Sequence, residues 1–82
     1  MCTIGQAPIH QRLVVASYLN ADADYISDIE SRLMHLGFIE GAIVQVKKKS
    51  FLKSGPILVE VRGRLVALSQ GEAALVKVEV QE

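Results

Sequence analysis

The stretch GPILVEVRGRLVALSQGEAALVKVEV, residues 55–80, leaves this chain few folds to choose from. Ile57, Val59 and Val61 alternate with Leu58 and Glu60, a side-chain period of two that fits a strand with one buried face. A tight turn across Arg62–Arg64 returns the chain through LVALS, which predicts a β-hairpin. The turn can centre on Arg62-Gly63 or on Gly63-Arg64. These registers differ by two residues, so both keep Val59 and Val61 on one face with Val66 and Leu68. SQGEAAL has the length of one helical turn, and VKVEV closes the stretch with Val76, Val78 and Val80 inward and Lys77 and Glu79 outward.

Upstream, QRLVVASYL (residues 11–19) is β-branched and aromatic enough for a first strand, weakened by Ala16 and Ser17. In NADADYISDIESRLMHLG, Ile26, Ile29, Leu33 and Leu36 recur at steps of three and four and predict one apolar helix face, with Asp28, Arg32 and His35 pointing away. Asp22 or Asp24 can cap this helix, as can Ser27 with Glu30 one turn later. Gly37 ends it, because a residue without Cβ enters the left-handed conformation cheaply. Gly41 opens a second strand, AIVQVKKK, with Val44 and Val46 on one side and Gln45 and Lys47 on the other, and SFLKSGP is read as a turn. Structural turn roles are thus expected for Gly37, Gly41, Gly55 and Gly63, since neither a dinucleotide nor a P-loop glycine spacing is present.

These elements describe a mainly β protein: a small SH3-like barrel of about five strands, with one helix between strands 1 and 2 and a short helical turn before the last strand. With 82 residues, half of them apolar, a single domain spanning 1–82 is expected. Leu33, Leu36, Val44, Val46, Val59, Val61, Val66, Leu68, Val76 and Val78 are its expected core.

The chemistry of the remaining residues is sparse. One cysteine, Cys2, cannot form an internal disulfide, and His10 and His35 lack the spacing of structural zinc ligands. No apolar run approaches the ~20 residues that cross a bilayer, and the expected location is the cytoplasm. Zero net charge, two Phe and two Tyr argue against a nucleic-acid partner. Cys2 and His10 could pair as nucleophile and base, but both fall in a terminal segment expected to be mobile, with no third orienting group. No catalytic residue, cofactor or metal site is therefore expected, and Asp22 with Asp24 offers too few oxygens for calcium.

Charge is unevenly spread. Asp22, Asp24, Asp28, Glu30 and Glu40 face only Arg32 in residues 20–40, whereas Lys47, Lys48, Lys49, Lys53, Arg62 and Arg64 face only Glu60 in residues 41–64. Such runs ordinarily mark solvated surface. Two apolar pairs interrupt them: Phe38 and Ile39 at the helix-to-strand corner, and Phe51 and Leu52 among the lysines. Exposed apolar groups rimmed by charge are contact sites, so these four residues and Lys47, Lys48, Lys49 and Lys53 are the partner-binding candidates. The bland reading, that Phe38 plugs the barrel end, stands level with docking for that residue.

The order Arg32-Leu33, Leu36-Gly37, Gly41, Gly55-Pro56, VEVRG, Ala67-Leu68, Glu72-Ala73 and a final alternating strand resembles the FeoA family, ferrous iron transport protein A, over roughly residues 31–80. Glu40 stands where that family usually has proline, Ser69 where arginine is common, and the glycine-rich lead-in to the first strand is absent near His10 and Gln11. The resemblance implies a small cytosolic SH3-like protein that supports a FeoB-type ferrous iron transporter by contact with its cytosolic region, peripheral to the membrane through that partner only. The same domain also forms C-terminal modules of iron-dependent repressors, which is the alternative it implies.

Overall fold

The computed structural model describes residues 2–19, 28–50 and 55–81. In chain order these form β1 (Cys2–Thr3), a 3₁₀ turn (Ile4–Gln6), β2 (Arg12–Tyr18), α1 (Asp28–Leu36), β3 (Ile43–Lys49), β4 (Ile57–Val61), β5 (Arg64–Leu68), α2 (Gln70–Ala73) and β6 (Val76–Val80). The strands make one antiparallel sheet in the order β1-β6-β2-β3-β4-β5, curled around a single core as an open barrel. The caps expected at Asp22, Asp24 and Ser27 lie outside the described residues.

The β4–β5 hairpin turns on Arg62-Gly63. Both residues have positive φ, +54° and +76°, as a two-residue type I′ loop requires, and Val61 faces Arg64. Val59 then lies opposite Val66 and Ile57 opposite Leu68, so the apolar face is continuous. After β5, Ser69 caps α2: its Oγ accepts from the Glu72 N–H at 3.1 Å, and Glu72 Oε1 accepts from the Ser69 N–H at 2.9 Å. The position that departs from the resembled pattern thus starts a helix.

Two bulges set which side chains face inward. In β2, register shifts between Val15 and Ser17, so Leu13, Val15 and then Tyr18 point into the core. In β3 it shifts between Val46 and Lys48, making Lys47 the extra residue and placing Lys49 opposite the buried Ile57. Alternation alone would have put Lys49 on the solvent face. Its Nζ instead donates to the Gly5 carbonyl at 3.3 Å.

Eight of the ten expected core residues are fully buried, and Leu36 and Val66 pack against them half-buried. Val80, expected inward, is the last residue of β6, opposite Leu13 of β2, and is exposed. The helix face is rotated from the expected one: Ile29 is 49% exposed, whereas Glu30 and Leu33 are buried. Gly37 explains the rotation, because a Cβ there would come within 3.1 Å of the Val61 and Arg62 side chains, so this position must face the sheet. Positions 30, 33, 34 and 37 then share the inward stripe.

The N-terminal segment expected to be mobile is ordered and part of the barrel. Cys2 pairs with Val78 and Thr3 with Lys77, Ile4 and Ala7 are fully buried, and Thr3 and Gln6 close a reciprocal cap on the 3₁₀ turn. The physical reason is that β6 needs a neighbour on its outer side and the core needs a plug. Ile4 supplies the plug while β1 supplies the neighbour.

Candidate functional site

The helix-to-strand corner is built by a Schellman cap. Gly37, at φ +113°, donates to the Met34 carbonyl at 3.1 Å, and Phe38 donates to the Leu33 carbonyl at 3.1 Å. This motif favours an apolar contact between Leu33 and Phe38, and both side chains are fully buried. Docking through Phe38 is therefore corrected: the residue plugs the barrel end. Ile39 beside it remains 44% exposed. Gly41, at φ +87°, then turns the chain so that Gly41 N–H reaches the Val15 carbonyl at 2.8 Å.

Tyr18 locks this corner by donating its hydroxyl to the Phe38 carbonyl at 2.7 Å. Burial, aided by the nearby Glu30 carboxylate, pushes its pKa up to about 12. The fold accommodates the neutral phenol, so this contribution to stability is complete below the ordinary tyrosine value near 10 and is lost as pH rises through about 12. The urea midpoint should therefore fall faster between pH 10 and 12 in the wild type than in Tyr18→Phe. Parallel pH curves for the two proteins would show that the phenol is not coupled to folding.

At the other candidate region, Lys47 is half-buried at the bulge, Lys48 is exposed and Lys49 is tied to Gly5. Phe51, Leu52 and Lys53 lie outside the described residues. A groove of about 450 Å³ is lined by Lys48, Lys49, Ser50, Pro56 and Leu58, an apolar floor with an ammonium rim. Gly55, beside it, accepts from Gln70 Nε2 at 2.9 Å, which ties this turn to α2.

The structure brings together other groups that sequence reasoning did not single out. On the outer sheet face, Arg12, Gln45, Glu60 and Leu65 follow one another across β2, β3, β4 and β5, and Val14 pairs with the exposed Ile43. Such rows require the register and cannot be found from one strand at a time. Arg32 Nη1 meets Glu72 Oε2 at 2.9 Å, joining α1 to α2. Cys2 sits against β6 and the His10 backbone against Val46 of β3, on opposite sides of β2, with no hydrogen bond between them. Among the described residues no three His, Cys, Asp or Glu side chains are grouped as metal ligands.

An open antiparallel barrel with a helix inserted after its first long strand and a helical turn before its last is an SH3-like domain. Its exposed chemistry is charge and apolar surface. The FeoA domain profile matches residues 2–80, and the chain belongs to the FeoA domain family. The match includes the N-terminal segment, beyond the span over which the motifs are legible.

Stenotrophomonas maltophilia FeoA, solved with zinc and described as a prokaryotic SH3 domain protein, is 32% identical, with 96% of this chain and 91% of that chain covered and a TM-score of 0.76. A FeoA-like protein from Clostridium acetobutylicum shares the fold at 22% identity, covering 96% and 85%, with a TM-score of 0.79. ScaR with bound Zn²⁺ contains the same fold at 18% identity and a TM-score of 0.80, with 99% of this chain matched to 37% of that chain. Comparison with curated proteins gives no match.

Proposed function

We propose that this chain is an accessory protein of ferrous iron uptake that binds the cytosolic region of a FeoB-type transporter, at the inner face of the cytoplasmic membrane, and supports or regulates it by contact. The observation that carries this reading is the FeoA domain match over residues 2–80, together with 32% identity to a FeoA proposed as a ferrous iron transport activating factor. Surface chemistry supports it: the described residues offer charged and apolar contact surface. In this reading iron handling belongs to the partner.

One docking surface is the lysine end with its groove, with Ile39 as a secondary contact; Phe51, Leu52 and Lys53, which follow Ser50 in the sequence, stay candidates from the sequence alone. Lys49 is excluded from the test because it holds Gly5. The double variant Lys47→Glu, Lys48→Glu should bind the transporter's cytosolic region about tenfold more weakly, mainly through slower association that added salt mimics in the wild type. Calorimetry or surface resonance at two salt concentrations measures this. Wild-type affinity in the folded double variant would remove the lysine end from the interface.

A second reading is an SH3-like module of an iron-dependent transcriptional repressor; the fold shared with about a third of the longer ScaR chain, solved with bound Zn²⁺, is compatible with a modular setting. The match over 91% of the S. maltophilia FeoA chain favours the first. Binding to the isolated transporter region separates the two.

A further inference from the structure

The sheet has two edges, and they are treated differently. β1 is two residues long, whereas β5 runs five residues, Arg64–Leu68, with no bulge against β4 and no proline. An edge of that length is a template for another strand unless it is blunted. The type I′ loop makes Val61 and Arg64 the closing hydrogen-bonded pair, and bonded and non-bonded pairs then alternate. Arg64, Val66 and Leu68 therefore spend their backbone groups on β4. Leu65 and Ala67 direct theirs outward, and neither makes a hydrogen bond to any other element among the described residues.

The side chains say what would pair there. Leu65 is 61% exposed, the most exposed large apolar residue described, and Ala67 is exposed beside it. Arg62 and Arg64 stand at the turn end of the edge, both exposed, and neither forms an ion pair among the described residues. Arg62 is held in place, since its stem lies over Gly37 at the end of α1. Glu60 is the cross-strand neighbour of Leu65, so the acidic side of any match belongs at the Arg64 end.

We propose that β5 takes up an extended acidic segment of a partner protein as an added antiparallel strand. Cross-strand neighbours share a face, so the segment places a carboxylate opposite Arg64 and apolar residues opposite the half-buried Val66 and the end of the core at Leu68. Its backbone bonds the Leu65 and Ala67 N–H and C=O groups. A second copy of this chain does not fit as well: β5 carries two flanking arginines and no carboxylate, so self-pairing leaves both charges unanswered. This deepens the docking reading above and rests on it for the partner's identity, but not for the chemistry of the edge.

The test titrates the full chain, ¹⁵N-labelled, with the capped peptide Val-Thr-Val-Thr-Asp-Glu and with its Lys-Lys-ended counterpart. The acidic peptide should shift the Leu65 and Ala67 amides saturably and slow their hydrogen exchange, and the lysine peptide should not. Ala67→Pro removes one outward N–H that β4 does not use, a position where an edge strand tolerates proline, and should weaken binding by about tenfold or more. Arg64→Glu leaves the ladder intact and should reverse the preference toward the lysine peptide.

Shifts confined to the Lys47–Lys48 end, equal affinity for both peptides, or amide shifts at Leu65 and Ala67 that follow protein concentration without peptide would each overturn the proposal. The transporter's cytosolic region is then offered to the same variants. Equal binding of wild type and Ala67→Pro would overturn edge docking while leaving transporter binding intact, and absence of binding by the wild type would reject the transporter reading alone.

Discussion

Val78→Asp will leave the chain unfolded at neutral pH. Val78 is fully buried at the centre of β6, opposite Val15 on one side and Cys2 on the other, so its side chain has no route to water that keeps both pairings. The substitution forfeits about 1.5–3 kcal/mol of apolar burial and places a carboxylate where desolvation costs several kcal/mol more. A domain of this size has only about 5–15 kcal/mol in total. Far-UV circular dichroism and one-dimensional NMR should show loss of the sheet, and Val61→Asp should behave alike. Cooperative melting of both variants at the wild-type temperature would mean that the inward faces of β4 and β6 are misassigned.

Phe38→Ala is expected to keep the fold but to cost about 3–5 kcal/mol, the range for truncating a fully buried phenylalanine. For a domain of this length that lowers the melting temperature by at least about 12 °C. Ile39→Ala, one residue along, should stay within about 0.5 kcal/mol of wild type. The contrast tests the corner directly. If Phe38→Ala melted like wild type yet lost transporter binding, the side chain would have to be turned outward in solution, and the Schellman contact with Leu33 would be wrong.

How much of this was legible beforehand depended on whether a signal was local. The β4–β5 hairpin and β6 could be read because alternation and turn chemistry lie within a few residues of each other. The hairpin register needed the structure, since the Val61–Arg64 pairing and the positive φ of Arg62 decide between the two turns. Family membership was legible from the glycine and charge spacing after Ser31, and the profile match extends it to Cys2.

What failed depended on distant partners. Ile29 satisfied a helical period as well as Leu33 did, but Gly37 had to face Val61, and that contact turned Ile29 outward and Glu30 inward. Ile4 and Ala7 carry no period in their own segment, and only the open side of β6 gives them a place. The bulge at Lys47 reversed the alternation behind it, which moved Lys49 from the docking rim to a structural bond. Phe38 was the exception that could have been found, because it stands two residues beyond the helix end with Gly37 between, where an apolar residue folds back on the last turn.

Pairing Cys2 with Val78 has a consequence for architecture, since residues 76 apart in the chain become neighbours across a single ladder. Head and tail of the domain leave from the same side. Closing so long a loop raises the entropic cost of folding only logarithmically, and the β1–β6 pairing is a long-range contact. A unit whose ends adjoin can be spliced into a longer polypeptide as a detour, entered and left at one place, without stretching either flank. The same property makes it tolerant of circular permutation, with the old ends joined by a short bridge and new ones opened in a surface turn.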